Sequence, residues 1–324
     1  MEDIMLDAVV LGAGGFLGRS VARELIDAGA AVRVVGHRPP TDEDARSVWD
    51  SAAEQRIADL TTSCAVIDGC REVYHFAADM GGVGYLSSDQ LRSFVTNSRI
   101  TFNVLEAIER SDVERAFLAS SACAYPVEKQ GGPHAPRLDE EDLSSGTPDK
   151  LYGREKRTMI ELAEHLDADV RVGVLHTVYG PGQRLHGPRT KFPPAIVMKA
   201  LAARTTGRIE LWGDGQQRRS FLYIDDSVQM ILRMMRLPYR GPTNIGFEGA
   251  VSVDEITAIC TSHLGISPDI VHLPTGPTGP IARDCSNRRF TERYGAMEPI
   301  GYSEGFGRML DWAEKRTTDA RDDR

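Results

Sequence analysis

The chain has 324 residues, 41% hydrophobic and 26% charged, with 31 Gly and 17 Pro. This is globular composition with enough apolar content for a sizeable core, and it excludes a disordered chain. The formal net charge of -9, from 47 acidic and 38 basic residues, argues against duplex nucleic acid or an anionic membrane as partner, while leaving room for a local phosphate pocket. No run approaches the roughly 18 unbroken apolar residues of a membrane helix. Met1–Asp7 carries three acids and no base, so it does not read as a secretory signal. The five cysteines, Cys64, Cys70, Cys123, Cys260 and Cys285, include no C-x-x-C pair and leave an odd count. Neither a disulfide framework nor a zinc cage fits them, and no metal is expected. The working class is a soluble cytoplasmic enzyme.

In chain order, the first predicted strand is Ala8–Leu11. Gly12, Gly15 and Gly18 follow it, then Val21, Ala22, Leu25 and Ile26 recur at helical spacing, and Ala31–Val35 reads as a second strand. Strand, glycine turn, helix and strand open a doubly wound parallel α/β sheet of the Rossmann kind. Apolar strands at 73–76, 116–119 and 170–175 continue the alternation, with helical patterns at 91–110 and 154–166 between them. Residues 127–150 are rich in Gly, Pro, Asp and Glu and read as a surface loop. After about residue 180 the texture changes: Gly180-Pro181-Gly182 and Gly187-Pro188 break the pattern, and 193–204 reads as a helix. The stretch 274–280 reads as an exposed loop, and 314–324 as a charged end that frays. No internal repeat or long linker is present. The expected division is a dinucleotide-binding domain over 1–175, to which 219–250 returns, and a smaller α/β substrate domain from 176–218 and 251–324.

Glycines at spacing three between an apolar strand and an amphipathic helix permit a tight turn and let backbone approach a pyrophosphate at the helix N-terminus. The alternative is a simple tight turn. The usual companion, an acid about 20 positions on that bonds a ribose 2′-hydroxyl, is missing. The second strand ends instead Val35-Gly36-His37-Arg38. An acid would repel a 2′-phosphate, whereas Arg38 can pair with one, which favours NADP over NAD. Otherwise Arg38 is a solvated loop residue.

Tyr152 and Lys156 stand four residues apart, on one helix face. A nearby cation lowers a tyrosine pKa from about 10 toward neutrality, so the phenol can take a proton from an alcohol while hydride leaves to a nicotinamide. Such pairs also arise by chance. The glycine turn and Ser120-Ser121 at a strand end give this one its context.

These features resemble the extended short-chain dehydrogenase/reductase family: the glycine turn with Phe16 and Leu17, Asp59-Leu60, His75-Phe76-Ala77-Ala78, Asn97, Ser121 and Tyr-x-x-x-Lys. Within it, three stretches are similar to the GDP-mannose 3,5-epimerases: 77–84 (AADMGGVG), 119–126 (ASSACAYP) and 211–221 (LWGDGQQRRSF). The resemblance covers most of the chain and implies a mechanism. Tyr152, helped by Ser121 and Lys156, oxidises a hexose at C4; the ketone acidifies C3 and C5, whose protons are exchanged; C4 is then reduced again by the same NAD(P). Inverting a carbon needs an acid and a base on opposite faces of the ring. Cys123 and Lys191 match the family's pair in that role, although a cysteine is also commonly an inert buried thiol. The resemblance further implies cofactor contacts from Gly12, Gly15, Phe16, Leu17, Gly18, His37, Arg38, Asp59, Leu60, Ala77, Ala78, Tyr152 and Lys156. It implies sugar-nucleotide contacts from Met80, Gly81, Gly82, Ser121, Cys123, Thr177 and Lys191. Arg219 and Arg283 match diphosphate-binding arginines, though single arginines are more often surface charges. Trp212, grouped with the substrate residues, reads more readily as core than as a base-stacking platform. A homodimer is implied as well.

Two departures stand out. Gly36 replaces the family's NAD-reading acid, and Thr177 replaces the asparagine before its Tyr-Gly-Pro segment. The nearest rival is an NADPH-consuming GDP-4-keto-sugar epimerase-reductase resembling GDP-fucose synthase. Gly36-His37-Arg38 favours that rival, and Asp79-Met80-Gly81-Gly82 with Lys191 favours the redox-neutral epimerase. More distant readings are another NDP-sugar 4-epimerase or dehydratase, and a non-catalytic dinucleotide sensor.

Overall fold

The computed structural model describes residues 5–276 and 278–322, with side chains placed through residue 318. Met1–Ile4 of the N-terminal segment, Pro277 of the 274–280 loop and the last two residues lie outside the described residues. The first half alternates β1 (Leu6–Leu11), α1 (Phe16–Asp27), β2 (Val32–Gly36), α2 (Glu43–Ser51), β3 (Glu54–Ile57) and β4 (Cys70–His75). It continues through α3 (Val83–Ser88), α4 (Gln90–Glu109), β5 (Arg115–Ser121), α5 (Lys150–Ala163) and β6 (Asp169–Leu175). The second half holds β7 (Thr177–Tyr179), α6 (Phe192–Thr206), β8 (Arg208–Trp212), β9 (Arg218–Arg219), β10 (Phe221–Tyr223), α7 (Ile224–Arg236) and β11 (Gly241–Ile245). It ends with β12 (Val251–Ser252), α8 (Val253–His263), β13 (Asp269–Leu273), β14 (Ala282–Arg283), α9 (Arg288–Tyr294) and α10 (Tyr302–Asp322).

Seven strands form one sheet in the order β11-β6-β5-β4-β1-β2-β3, every neighbour parallel. Val9, Val10 and Leu11 have no exposed surface, as strands covered by helices on both faces require. Each such side chain contributes about 1.5–3 kcal/mol by burial. The strand order reverses beside β1, between β2 and β4, and the crevice at the carboxyl ends there is where such sheets bind ligands. The doubly wound sheet expected from the sequence is present.

Three local expectations change. Residues 127–150 contain 3-10 turns and bury Gln130, Leu138, Glu140 and Leu143, because Leu138 pairs with Cys285 and Asn244 reaches its carbonyl. The C-terminal segment continues α10 to Asp322 instead of fraying after 314, anchored by buried Phe306, Met309, Leu310 and Ala313. The helix expected from 154 begins at Lys150, one turn earlier, so Tyr152 stands in its first turn. No described helix is long and apolar enough to cross a membrane.

Candidate active site

The glycine turn is a cradle that side chains would fill. Gly12 has φ +88°, and a Cβ there would lie 2.8 Å from the Ala77 nitrogen. A Cβ on Gly18 would collide with the Gly12 carbonyl, which accepts from the Gly15 nitrogen at 2.9 Å. Backbone therefore lies open in front of α1, which has no acid in its first turn, and the position suits a dinucleotide diphosphate. Phe16 and Leu17 open the helix, and Ala77-Ala78 form the opposite wall after β4. Asn97 on α4 fixes that wall by accepting from the Asp79 nitrogen (2.6 Å) and donating to its carbonyl (3.0 Å).

The far end of the crevice is open. His37 and Arg38 are exposed, and Arg38 makes no ion pair among the described residues. A Cβ on Gly36 would come within 3.2 Å of the Trp49 ring, so packing occupies the position where an acid would reach out. The Asp59 carboxylate is held below its usual range by hydrogen bonds from the Thr61 hydroxyl (2.7 Å) and nitrogen (2.9 Å). Leu60 is buried, and its carbonyl accepts from Asn103.

Ser121 closes β5, and its Oγ accepts from the Cys123 nitrogen at 3.2 Å, turning the chain into the 3-10 turn Ala122–Ala124. Gly153 of α5 packs on the Cys123 carbonyl, where any Cβ would collide. This close approach brings buried Tyr152 and Lys156 beside Ser121, with Lys156 Nζ 5.8 Å from the Tyr152 ring centre. The expected lowering of the Tyr152 pKa is not found. Burial pushes the phenol well above its usual range, Cys123 and Glu155 reinforce this, and a hydrogen bond with Ser121 acts against it. Lys156 turns its charge toward Glu155, 3.2 Å away, whose other oxygen accepts from Thr101 at 2.6 Å. His75, at the end of β4, is pushed down to about 3 by burial and then by Lys156, so it is neutral.

Cys123 is half-buried and touches a cation. Arg283 Nη1 donates to its sulfur at 3.3 Å, while Nη2 reaches Asp149 at 2.8 Å and Nε reaches Gln130 at 2.6 Å. Burial opposes the Arg283 charge, yet Cys123 and Asp149 together hold it above its ordinary value. Arg219 is pushed down to about 9, first by burial and then by Arg283, and donates to the Pro280 carbonyl at 2.6 Å. Neither arginine is the surface charge that a single residue suggests. Of these two neighbouring desolvated guanidiniums, Arg283 alone has an ion pair among the described residues, to Asp149, so the site favours an anion.

Lys191 precedes α6, and burial pulls its ammonium below the ordinary value while Cys123 acts the other way. Gly82 faces the same stretch, since a Cβ on it would meet the Thr190 carbonyl at 2.5 Å and the Lys191 Cα at 3.5 Å. Met80 and Gly81 precede it in the same turn. Thr177 lies half-buried in β7, in register with Phe221. Trp212 is a correction: at 50% exposure it is not core, because it ends β8 where the chain turns outward, with Lys199 Nζ 5.9 Å from its ring centre. The acidic trio Asp139, Glu140 and Glu141 is matched by Arg288 and Arg289, an ion-pair network. Sequence reasoning missed Asp149, Glu155 and Gln130; the one local signal was a carboxylate directly beside Lys156.

Residues 8–247 match the model of the NAD dependent epimerase/dehydratase family. The chain belongs to this family. Over 314 residues it is 34% identical to a GDP-mannose 3,5-epimerase 1 of Oryza sativa subsp. japonica, covering 95% of this chain and 81% of that protein. A GDP-L-fucose synthase of Azorhizobium caulinodans is 27% identical over 252 residues, 72% of this chain and 79% of that protein. Among solved structures, a UDP-glucose 4-epimerase of Thermotoga maritima has the same fold, with TM-score 0.84, 19% identity and coverage of 96% of this chain and all of that one. The family's NAD dependence agrees with the fit of the glycine cradle to a dinucleotide.

Proposed function

We propose that the chain is a cytoplasmic GDP-mannose 3,5-epimerase, with residues 1–175 and 219–250 holding the dinucleotide and 176–218 with 251–324 holding the sugar nucleotide. The observation that carries this is Cys123, gripped by Arg283 beside Ser121 and Tyr152, with Lys191 under its electrostatic influence. A simple 4-epimerase needs only the Tyr152 group; an acid–base pair beyond it suits inversion at carbons next to a ketone. The greater identity and coverage of the mannose epimerase relative support the same choice over the fucose synthase type.

A dinucleotide held by the Gly12, Gly15 and Gly18 cradle would supply the hydride acceptor and donor for C4. Burial alone keeps the Tyr152 phenol protonated, and the positive charge of an oxidised nicotinamide would favour its phenolate. In that state Tyr152, oriented by Ser121 with Lys156 anchored beside it, takes and gives back the C4 hydroxyl proton. Cys123 and Lys191 exchange the ring protons; a sulfur that lends its proton gains from the Arg283 cation in that state. Arg219 and Arg283 bind the diphosphate. Arg38 and Gly36 support NADP over NAD, since the end of β2 carries a guanidinium with no ion pair among the described residues and no acid at position 36. Leu91, Val95 and Phe102, exposed on one face of α4, support a homodimer, which light scattering would register as twice the chain mass.

The deciding experiment is GDP-mannose in deuterated water with the holoenzyme. Deuterium at C3 and C5 with no net NADPH consumption is expected. Stoichiometric NADPH oxidation on a 4-keto sugar nucleotide would instead select the epimerase-reductase reading, and no labelling of GDP-mannose with no turnover of the 4-keto sugar would remove both.

A further inference from the structure

The Lys191 carbonyl accepts the first hydrogen bond of α6, from the Ala195 nitrogen at 3.2 Å, which fixes its backbone on the helix side alone. Lys191 immediately precedes α6, and a cation at a helix N-terminus is disfavoured by the helix dipole. The preceding stretch from Gly180 to Thr190 has no regular structure, and Gly180, Gly182 and Gly187 all have positive φ. Its internal ties are weak turns, Gln183 to Gly180 at 3.4 Å and Thr190 to Gly187 at 3.1 Å. Arg19 of α1 donates to the Gly182 carbonyl at the far end of the loop, so the end next to Lys191 needs an anchor of its own on a neighbouring element.

Arg189, two residues before Lys191, supplies the tie. Its Nη1 lies 2.6 Å from Asp79 Oδ1 and 3.3 Å from the Met80 carbonyl, and its Nη2 donates to the Tyr85 hydroxyl at 2.7 Å. The guanidinium also sits 4.2 Å from the centre of the Tyr85 ring, and that hydroxyl donates to Asp79 at 2.8 Å. Asp79 is pinned in turn by Asn97 and by Ser93, whose hydroxyl donates to its carbonyl at 3.1 Å. The glycines between are shaped for this union. A Cβ on Gly81 would strike the Tyr85 ring at 2.7 Å, and one on Gly82 would strike the Thr190 carbonyl at 2.5 Å.

We propose that Asp79, Tyr85 and Arg189 form a clamp that sets the position of Lys191, making Arg189 a positioning residue for one of the two ring-proton transfers. The proposal rests on the reading of Lys191 as a ring acid–base. Arg189 is suited to the role because a planar fork stacked on a ring and paired with a carboxylate fixes direction, which a lysine does not. The clamp is built on the wall next to Ala77-Ala78, so it ties the Lys191 loop to the side of the crevice facing the dinucleotide cradle.

The test compares wild type, Arg189→Ala, Arg189→Lys, Tyr85→Phe and Lys191→Ala holoenzymes with GDP-mannose in deuterated water. NMR reads deuterium at C3 and C5 separately, and reduced-nicotinamide absorbance reads C4 oxidation. A displacement of about 1 Å costs on the order of a hundredfold in rate. Arg189→Ala should therefore lose tenfold or more in labelling at C3 and C5, as Lys191→Ala does more completely, with C4 oxidation changed less than about threefold. Tyr85→Phe and Arg189→Lys should fall between, and they decide the matter should Arg189→Ala fail its thermal melt. Normal labelling in the folded Arg189 and Tyr85 variants, with labelling lost in Lys191→Ala, overturns the clamp alone. Equal loss at C3, C5 and C4 overturns it in favour of a general structural role. Normal labelling in Lys191→Ala removes the reading of Lys191 and the clamp together.

Discussion

Arg283 bridges Cys123 and Asp149, donating to the sulfur at 3.3 Å with one arm and to the carboxylate at 2.8 Å with the other. Asp149 precedes α5, so the cation beside Cys123 is positioned by the helix that carries Tyr152. If Cys123 exchanges ring protons, Cys123→Ser should stop deuterium entry at C3 and C5, because a serine hydroxyl is too weak an acid to replace a thiol. Asp149→Asn should slow the same exchange about tenfold by loosening Arg283, with C4 oxidation less affected. Unaltered isotope exchange in folded Cys123→Ser would return that cysteine to a packing role.

Tyr152→Phe should abolish turnover and leave dinucleotide binding nearly intact. The phenol supplies the proton acceptor, whereas Gly12, Gly15 and Gly18 form the phosphate cradle. Fluorescence titration with the dinucleotide, set beside turnover, checks this. More than a few per cent of residual rate would refute the role.

Arg38→Ala should weaken NADP binding more than NAD binding, by roughly tenfold, the worth of one charge-assisted contact to a phosphate. Calorimetric titration of both dinucleotides reads the ratio directly. Equal loss for both would leave Arg38 as a solvated loop residue.

Glu140 gives a stability prediction. It is buried, its Oε2 has no hydrogen bond, and burial raises it from 4.5 to about 7 against the hydrogen bond it accepts from the Asn244 nitrogen. A carboxyl raised in the folded state contributes stability that is complete below pH 4.5 and lost as pH rises through about 7. Glu140→Gln removes the ionisation, so the variant should gain on the wild type above pH 7 by on the order of 3 kcal/mol. The gain should vanish below pH 5, where both side chains are neutral. Melting temperatures across this range check it; a gap that is flat with pH would mean the carboxyl ionises freely.

What the amino-acid order determined by itself is local. An apolar run, glycines at spacing three and a helical apolar repeat specify β1, the turn and α1, because those interactions lie within one short stretch of chain. Tyr152 and Lys156 share a helix face for the same reason. The strands around them keep short apolar stretches at their centres, at residues 9–11, 34–35 and 116–118, which made the doubly wound sheet legible as well. The partners of the reactive groups are not local. Glu155 meets Thr101 across 54 positions, Arg283 meets Cys123 across 160, and Arg189 meets Tyr85 across 104. A carboxylate beside a lysine, or an arginine in a loop, has the same local appearance whether it is solvated or aimed into a crevice. Only packing of distant segments removed the water from Arg219, Arg283 and Lys191, and desolvation is what turns such charges from surface features into groups with directed partners.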